Sequence, residues 1–519
     1  MDTLTPEALG WALTHVGKYG DTDIFPVPFE YSALRAHWLD VSGHLNSIDL
    51  GAHQAAPSLR LLAPKSKLGF RAVEQLDPYD QLLYLGMVFE AAGPIEIARM
   101  DRTSRVACSY RVEITPDGQL FSGTNGWSDF HGRSQELVAN SSITHVLMAD
   151  IADFYNQIYH HRVQSSLESA GVNRDRSHNI ERFVGTLTAR QTRGVPVGSA
   201  ASTLLAEACL ADVDSFLLRR GHQHTRYVDD FRVFTTNRMS AIQALYDLTH
   251  YLHTVHRLCL QSGKTRIHEK ERFIREELVD PEQRELVERM SRLNEMLGEM
   301  GIPTWYDEPG EIEVTPEMEN QAVRDALRSL FHEVVSAEKL HLGFARYLLR
   351  RGRGLRSRVL LPDVLEHLER LLPVLRDVVQ YVLTVYPRTD PQSVGAALVG
   401  LLRTSEFRLF PFVQLWILHA LSEAPGFCQT HEALALAEGA HPFVRDRCCA
   451  LIARSHKVVD WVRERKESWA NTDPWVQRAI LWAGAILPAD ERLHWLEPVT
   501  RGTPHINAII AKAANRGLS

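Results

Sequence analysis

Apolar and polar residues alternate differently in the two halves of this 519-residue chain. Up to about residue 142, short helical patterns are mixed with extended ones, and residues 109–123 read as two strands joined by a Pro-Asp-Gly turn. Beyond about residue 323, apolar residues recur at helical spacing almost throughout. The pattern predicts a mixed α/β region followed by an all-α region.

The most informative elements lie in the middle of the chain. Residues 146–149 form an apolar run typical of a buried strand, and Asp150 follows directly. Residues 226–234, RYVDDFRVF, alternate apolar and polar around Asp229 and Asp230, as a tight hairpin would. Acidic residues are therefore predicted where a strand and a hairpin turn end.

Two features organise the second half. Residues 281–299 predict a charged amphipathic helix that leads into a Pro/Gly/Glu-rich connector at 301–319. Pro-aromatic-Val triplets then begin at Pro411, Pro442 and Pro474, 31 and 32 residues apart, and each opens an apolar helix pattern. Proline suits the first helical turn, because a backbone N–H there has no acceptor within the helix and its absence therefore costs no hydrogen bond. The interval predicts a helical repeat of the HEAT or armadillo kind.

Composition places the chain among ordinary globular proteins, with 45% hydrophobic and 23% charged residues. Its length predicts two to four domains. The sequence holds no apolar run long enough for a membrane span, and its first residues lack the basic-then-apolar layout of a signal peptide. A cytoplasmic location without membrane partners is the expectation.

The net charge of −7 argues mildly against nucleic-acid binding, because phosphate contacts need Lys and Arg. One stretch departs from that average, since arginines crowd residues 346–358. Two interpretations stay open for this stretch, a solvated helix face and a nucleic-acid contact. The residues of the predicted contact are Arg346, Arg350, Arg351 and Arg353.

Cysteine and tryptophan are both expected to serve packing. The cysteines show no C-x-x-C spacing, so neither a zinc site nor a redox pair is indicated. They are Cys108, Cys209, Cys259, Cys428, Cys448 and Cys449. The tryptophans of the helical region are expected in its core rather than on a binding face. They are Trp416, Trp461, Trp475 and Trp482.

Asp150, Asp229 and Asp230 carry the candidate chemistry. On its own, Asp150 would also suit a helix cap or a turn, but a charge at the end of a buried strand is costly unless it is paired or binds a metal. Two adjacent carboxylates repel each other unless a divalent cation neutralises them. Mg²⁺ prefers carboxylate oxygens and leaves room for substrate phosphates, with Mn²⁺ as the alternative. The three carboxylates predict a metal site for phosphoryl transfer.

A glycine-bounded loop and a helix separate these carboxylates along the chain. Gly194 and Gly198 allow close backbone approach to a template base or a nucleotide, and Ser199 and Ser202 suit a helix start. Residues 199–220 predict the helix that follows. Taken alone, this segment would be explained equally well as a plain loop-to-helix connection.

Four ordered segments resemble motifs A, B, C and D of reverse transcriptases. They are DIADFY, GVPVGSAAS, YVDD and QSGKTRI, which begin at residues 150, 194, 227 and 261. Upstream, APKSKLGFRAVEQLDP, which begins at residue 63, is similar to the fingers segment of these enzymes. The resemblance covers about residues 60–270 and implies an α/β palm-and-fingers polymerase domain, followed here by the all-α HEAT-like domain.

The resemblance implies a role for each matching residue. Asp150 and Asp229 would bind both metal ions, with the Ile151 carbonyl as a further ligand and Asp230 beside them. Tyr155 would be the steric gate that excludes a ribose 2′-hydroxyl and so selects dNTPs. The other implied nucleotide contacts are Lys65 or its rival Lys67, Arg71, Asp153, Phe154, Val197, Gly198 and Lys264.

Val197 departs from the common pattern, because most reverse transcriptases have Gln at this place in motif B. The VPVG form, the SAASTLLAEACL helix and the helical C-terminal region resemble the bacterial abortive-infection and defence-associated enzymes, often called unknown-group reverse transcriptases. That lineage implies anti-phage defence, a DNA product and assembly into trimers or hexamers. Synthesis without a template and synthesis on a companion non-coding RNA both stay open. Some members prime on their own side chains, for which the candidates are Tyr19, Tyr31 or a tyrosine of the C-terminal region.

Two other hypotheses stay open. A retron or group II intron-like enzyme is less favoured, because the retron signatures and a Cys/His endonuclease tail are not found. A helical-repeat binding protein with an inactive polymerase domain is also less favoured, because every expected carboxylate is present. The predicted domains are an N-terminal region with fingers (1–145), a palm (146–270), a charged helix and connector (271–322) and a helical repeat that replaces or includes a thumb (323–519).

Overall fold

The computed structural model describes most of the chain. The described residues are 2–66, 69–123, 126–188, 190–278, 289–290, 292–293, 295, 321–338 and 340–517. The predicted connector at 301–319 lies outside them, as does most of the predicted charged helix at 281–299.

The chain divides into two compact units, and both are discontinuous along the sequence. The first unit consists of Met1–Asp23, Ser42–Leu59 and Glu74–Glu285. The second consists of Ile24–Val41, Arg60–Val73 and Leu286–Ser519. Two short segments from the first 73 residues thus cluster with the helical C-terminal region. The four consecutive domain ranges given above stay a prediction.

The elements up to residue 278 combine strands and helices. The strands are β1 (Leu59–Pro64), β2 (Phe70–Gln75), β3 (His145–Asp150), β4 (Gln223–Tyr227), β5 (Asp230–Thr235) and β6 (Arg266–Glu269). The helices are α1 (Pro6–Tyr19), α2 (Glu30–Ala36), α3 (Trp38–Asn46), α4 (Pro78–Ala98), α5 (Gly126–Ala139), α6 (Phe154–Gln157), α7 (His160–Ser169), α8 (Arg174–Leu187), α9 (Ala200–Arg219), α10 (Arg238–Tyr251) and α11 (Lys270–Phe273). The predicted buried strand is β3, and the predicted hairpin is formed by β4 and β5. The predicted long helix is α9.

The first unit is built on a four-stranded antiparallel sheet in the order β4-β5-β3-β6. Along β3, Val146 belongs to one buried cluster with Phe234, while Leu147 belongs to another with Val233 and Ala244. Successive strand residues face opposite sides of a sheet, so both sides of β3 are covered. This explains why β3 is a continuous apolar run rather than an alternating one.

The predicted turn near residue 117 is also present. Val112 and Phe121 are antiparallel partners, and Gly118 has a φ of 90°. This is the left-handed region that favours glycine. A Cβ at Gly118 would approach the backbone nitrogen of His15 to 2.6 Å, so the turn also requires glycine for close packing against α1.

The described part of the chain beyond residue 320 is helical. Its helices are α12 (Gln321–Ser336), α13 (Leu342–Gly354), α14 (Leu361–Glu366), α15 (Leu375–Val385), α16 (Pro391–Arg403), α17 (Pro411–Glu423), α18 (Thr430–Glu438), α19 (Pro442–Ser455), α20 (Val459–Arg465), α21 (Pro474–Ala483), α22 (Ala489–Gly502) and α23 (His505–Asn515). The three Pro-aromatic-Val triplets open α17, α19 and α21, as predicted, with proline in the first turn.

Every second helix of this region packs on the next in line. Helix α13 contacts α15, which contacts α17, and the series continues through α19 and α21 to α23. The intervening helices α16, α18, α20 and α22 each pack against the helix that follows them. The triplets therefore mark three successive members of one series of helices.

Residues 24–41 are packed into the second unit through buried polar contacts. Glu30, at the start of α2, is 0% exposed. Its carboxylate accepts hydrogen bonds from Arg447 at 2.8 and 2.9 Å and from Arg478 at 3.0 Å. The Trp416 indole N–H donates to the Ile24 carbonyl at 3.0 Å. This segment belongs to the core of the helical unit.

The packing predictions for tryptophan and cysteine hold with one clear exception. All four tryptophans are buried, which confirms the prediction. Of the cysteines, Cys108, Cys209, Cys448 and Cys449 are buried and Cys428 is partly buried. The prediction is wrong for Cys259, which is exposed because it lies in the loop between α10 and β6.

None of the described helices is long and apolar enough to cross a lipid bilayer.

Candidate active site

The strand β3 and the hairpin β4–β5 bring the three predicted carboxylates together. Asp150 and Asp230 are direct Cα partners across β3 and β5. The amide of Ile151 donates to the carbonyl of Asp229 at 3.1 Å. Directly opposed strand residues project to the same face. Asp229 and Asp230 lie 79 and 80 positions after Asp150 in the chain, yet all three lie at the same end of strands β3 and β5.

Lys264 lies against this group. Its ammonium donates to Asp150 Oδ2 at 2.7 Å, and the Gln261 amide donates to the Asp150 carbonyl at 2.7 Å. Although partial burial lowers it, the hydrogen bond to Asp150 raises the pKa of Lys264 overall. The predicted motif D lysine is therefore charged and faces the carboxylate group.

These surroundings shift the pKa of Asp230. Burial, together with the charges of Asp150 and Asp229, raises its pKa to about 6, against opposing effects of Arg232 and Lys264. Arg232 lies two residues along on the same face, is 3% exposed and stacks over the Phe130 ring at 4.3 Å. A group of acids held this close gains from a divalent cation, so the residues fit a metal site.

The turn between β4 and β5 is held in an unusual backbone conformation. Val228 has a φ of 53°, and the left-handed region is a genuine outlier for a β-branched residue. Its amide donates to the Ser109 hydroxyl at 2.8 Å, and its carbonyl accepts from Arg226 Nη1 at 2.8 Å. Side chains on both sides thus fix the residue immediately before Asp229.

These two side chains are anchored to one buried glutamate in α9. Glu207 is 1% exposed, accepts from the Ser109 hydroxyl and accepts from Arg226 Nη1 at 3.1 Å. Arg99 also donates to Glu207 at 2.8 Å. On its other side Arg226 pairs with Asp214 at 2.7 Å. Although burial opposes it, Arg226 holds the pKa of Asp214 far below its usual range. The turn thus rests on a buried network of ion pairs.

Tyr155 and the motif B loop form another wall of the site. The Val195 amide donates to the Tyr155 carbonyl at 2.9 Å, and the Gly194 amide donates to the Ile158 carbonyl at 2.8 Å. Gly194 and Gly198 have φ values of 96° and 124°, so both need glycine. Burial, with the charges of Glu207 and Asp229, raises the pKa of Tyr155 well above its usual value. The Tyr155 phenol is neutral.

Buried hydroxyls fix the start of α9: Ser199 makes the predicted local bond, whereas Ser202 bonds to a residue 118 positions away. Ser199 caps the helix by accepting from the Ala201 amide at 3.3 Å, and it also accepts from Gln81 at 3.1 Å. Ser202 shares a 3.0 Å hydrogen bond with Tyr84. The Val197 carbonyl is already bonded to the Glu74 amide at 3.2 Å. Motif B is therefore a rigid loop rather than a loose connection.

The remaining predicted nucleotide contacts have diverse surroundings. Asp153 is exposed, has a φ of 50° and accepts from Asn156 at 2.7 Å. Phe154 is 2% exposed, so its side chain is a packing residue. Lys65 and Arg71 are exposed on the β1–β2 hairpin of the second unit. Lys67 lies outside the described residues.

The predicted nucleic-acid arginines are engaged within the helical unit. Arg346 and Arg350 both pair with Asp377, at 3.2 and 2.9 Å, and Arg351 is 4% exposed over the Tyr347 ring. Arg353 bonds to Gln380. These contacts join α13 to α15, and the nucleic-acid role stays a prediction.

The two named candidates for a priming tyrosine differ in exposure. Tyr19 is partly exposed at the end of α1, whereas Tyr31 is 4% exposed in α2. Of the two, the surroundings favour Tyr19.

A comparison with protein families supports this geometry. Residues 112–283 match the family model described as reverse transcriptase (RNA-dependent DNA polymerase). Residues 112–283 are a reverse transcriptase domain. The chain is accordingly an RNA-directed DNA polymerase, an enzyme of the nucleotidyltransferase class. Reverse transcriptase domains generally use divalent metal ions, and the clustered carboxylates fit that requirement.

Comparisons with whole proteins add little to the domain match. No curated protein matches the chain. Among solved structures, telomerase from Candida albicans with the TWJ fragment of telomeric RNA has a TM-score of 0.31 at 11% identity, covering 78% of this chain and 70% of that one. Apo telomerase from Candida tropicalis has a TM-score of 0.33 at 11% identity, covering 78% and 74%. Scores this low support no argument about this protein.

Sequence reasoning missed the network beneath the turn that carries Asp229. Glu207 is the one charged residue of the stretch SAASTLLAEACL, and a single carboxylate on a buried helix needs a buried partner. Arg226 precedes the YVDD segment directly. The helix pattern therefore held a signal for a buried ion pair, although it could not identify Ser109 or Arg99 as partners.

Proposed function

We propose that this enzyme is an anti-phage defence reverse transcriptase that polymerises dNTPs into DNA by two-metal phosphoryl transfer. One observation carries the polymerase part of this proposal. Asp150 is paired across the sheet with Asp230, and Asp229 is bonded through its carbonyl to the residue that follows Asp150. A hairpin and a strand that are distant in sequence thus present three carboxylates to one position.

The roles proposed for individual residues follow from this arrangement. Asp150, Asp229, Asp230 and the Ile151 carbonyl would hold Mg²⁺, which when bound would neutralise phosphate charge and activate a 3′-hydroxyl. Lys264, already charged beside Asp150, would contact the phosphates or the leaving group. Mn²⁺ is the alternative ion.

Nucleotide selection is proposed for Tyr155 and the motif B loop. The neutral Tyr155 would exclude the ribose 2′-hydroxyl, and the rigid backbone at Val197 and Gly198 would support the base or template. On the fingers hairpin, Lys65 and Arg71 would bind the triphosphate, because both are exposed and basic.

The defence role rests on the resemblance of the VPVG form, the SAASTLLAEACL helix and the helical C-terminal region to the defence-associated enzymes, rather than on the domain match. A series of packed helices in which three successive members open with a Pro-aromatic-Val triplet supports a HEAT-like repeat region. With this lineage we also propose homo-oligomers, a cytoplasmic location where dNTPs are available, and priming from a side chain, with or without a non-coding RNA template. A retron or group II intron-like enzyme is the alternative within the class.

Purified protein with Mg²⁺ and labelled dNTPs tests the polymerase assignment. The wild type should form DNA, and the double variant Asp229→Ala, Asp230→Ala should lose at least about a thousandfold in rate, as expected when charge stabilisation of the transition state is removed. Asp175→Ala is the matched control, because Asp175 is exposed on α8. Equal activity of the double variant and the wild type would overturn the assignment.

Sequencing the DNA made in cells tests the finer proposals. A product of biased composition without any matching template supports untemplated synthesis, whereas a copied sequence identifies a template RNA. A branched RNA–DNA product would favour the retron alternative. Mass spectrometry after incubation with dNTPs should show nucleotides attached to the protein, and their absence would reject side-chain priming.

A further inference from the structure

Aromatic rings surround Tyr227, which lies two residues before Asp229. The Trp127 ring stands edge-on to Tyr227 with centroids 5.3 Å apart, and Tyr110 lies 6.3 Å away. Phe130 packs on the same ring at 6.1 Å, and Phe121 packs on Tyr110 at 5.1 Å. The hairpin that carries the candidate catalytic carboxylates therefore adjoins an aromatic cluster.

Two members of this cluster are open to solvent. Trp127 is 47% exposed and Tyr110 is 38% exposed, whereas Phe130 beneath them is 0% exposed. A single exposed aromatic residue on a protein surface needs no explanation. These two both pack on Tyr227, so two exposed aromatic residues lie beside the hairpin that carries the candidate carboxylates.

Tyr110 is held in this position by buried contacts. Its φ of 48° is uncommon for a bulky residue, and such backbone persists only where the surroundings fix it. Arg99 donates to the Tyr110 carbonyl at 2.9 Å and to the Ser109 carbonyl at 2.6 Å. The same Arg99 is paired with Glu207. The network that fixes the catalytic turn thus also fixes Tyr110.

Tyr110 is partly exposed as a residue, yet its phenol has a raised pKa. Burial, with smaller effects from Tyr227 and Tyr155, raises the pKa of the Tyr110 phenol well above its usual value.

We propose that Tyr110 and Trp127 form a stacking platform for the 3′-terminal base of the growing DNA strand. Aromatic side chains bind single-stranded nucleic acid of any sequence in this way, since every base has a π-face. The platform adjoins Tyr227 of the YVDD turn, where the 3′ end must lie for its hydroxyl to react. The chain has a net charge of −7, so stacking supplies affinity that overall charge does not. The proposal rests on the polymerase function of the same site.

Binding of a fluorescein-labelled single-stranded DNA oligonucleotide, followed by anisotropy without dNTPs, tests the platform. Tyr110→Ala and Trp127→Ala should each raise the Kd about tenfold. Tyr110→Phe should stay within about twofold of the wild type, because the ring is retained. Tyr246→Ala is the matched control, since Tyr246 is 63% exposed on α10 of the same unit.

An oligonucleotide that lacks the 3′-terminal base gives a test that needs no substitution. The wild type should bind this abasic strand about tenfold more weakly than the intact strand, and Tyr110→Ala should show almost no difference between the two. Equal binding of both strands by the wild type would overturn the platform. So would an equal loss in Tyr246→Ala, or failure of the wild type to bind single-stranded DNA.

Activity measurements separate this proposal from the polymerase assignment. Asp229→Ala, Asp230→Ala should lose DNA synthesis yet keep the wild-type difference between intact and abasic strands. If that variant still made DNA, the assignment of the carboxylates would fail. If the double variant lost DNA synthesis but the wild type bound intact and abasic strands equally, the platform proposal alone would fail.

Discussion

At the scale of single residues, Asp230 shows how a reactive site weakens the fold that holds it. Its carboxylate has a pKa raised to about 6, chiefly by burial and then by Asp150 and Asp229. A carboxyl whose pKa is raised on folding stabilises the protein below its unfolded pKa and loses that contribution as the pH rises through 6. The ionised Asp230 therefore destabilises the metal-free protein at neutral pH.

Replacing Asp230 with asparagine should reveal this effect. Without divalent ions at pH 8, Asp230→Asn should raise the free energy of unfolding by about 1–3 kcal/mol. At pH 4 the two proteins should differ little, because the wild-type carboxyl is protonated there. Thermal unfolding across pH measures both, and added Mg²⁺ should stabilise the wild type more than the variant. A variant that is less stable at pH 8 would contradict the interpretation.

Tyr155 allows a second prediction at this scale. Tyr155→Ala should increase the incorporation of rNTPs relative to dNTPs by at least about tenfold, because a smaller side chain leaves room for the 2′-hydroxyl. The ratio of kcat/KM for dGTP and rGTP measures the change. Phe154→Leu, a buried neighbour, serves as control and should keep the wild-type ratio. A loss of dNTP and rNTP use in equal proportion would show that Tyr155 is not the gate.

At the scale of elements, the catalytic hairpin depends on α9. Glu207→Gln preserves volume but removes the charge that pairs with Arg99 and Arg226. Removing one partner of a buried ion pair lowers the free energy of unfolding by about 3–5 kcal/mol. We also expect kcat to fall while KM for dNTPs stays near its wild-type value. The substitution should displace Asp229, whereas Tyr155 and the motif B loop, which are proposed to contact the nucleotide, should stay in place.

Steady-state kinetics and a Mg²⁺ titration separate these effects for Glu207→Gln. A misplaced Asp229 should raise the Mg²⁺ concentration needed for half-maximal rate, whereas a purely structural loss would lower the active fraction at every Mg²⁺ concentration. Glu168→Gln, on the surface of α7, is the control. An unchanged Mg²⁺ requirement would remove Glu207 from a positioning role.

The same elements show what local pattern can and cannot predict. The strand β3 and the β4–β5 hairpin were predicted because residue alternation and the ends of apolar runs are local properties. Their pairing followed only from the resemblance, since register is a long-range property. The support from Ser109 lies 98 positions from Glu207 along the chain. No periodicity in the sequence links positions so far apart.

At the scale of the whole molecule, the units do not follow the order of the chain. Residues 24–41 read as part of a mixed N-terminal region, yet they lie in the helical unit. Glu30 and Arg478 are 448 positions apart, and their ion pair is buried. Sequence pattern identified the proline-initiated helices α17, α19 and α21 correctly. It could not identify a short N-terminal helix as part of their core.

Glu30 gives a prediction for this long-range packing. Glu30→Ala in the full chain should lower the free energy of unfolding by about 3–5 kcal/mol at pH 7, because Arg447 and Arg478 would be left buried without their partner. Asp40→Ala is the matched control from the same segment, since Asp40 pairs with Lys512 at a more exposed position. Exposed pairs contribute about 0–1 kcal/mol. Urea unfolding monitored by tryptophan fluorescence measures both.

The pH dependence of stability tests whether charge joins Glu30 to Arg447 and Arg478. Although burial alone would raise it, Arg447 and Arg478 lower the pKa of Glu30 to about 2. A carboxyl with a depressed pKa stabilises the fold above its unfolded value, near 4.5, and this contribution is lost as the pH falls towards 2. The stability difference between wild type and Glu30→Gln should therefore be full at pH 6 and shrink below pH 4.5. A difference that stays constant from pH 6 to pH 3 would mean that packing, rather than charge, joins residues 24–41 to the helical unit.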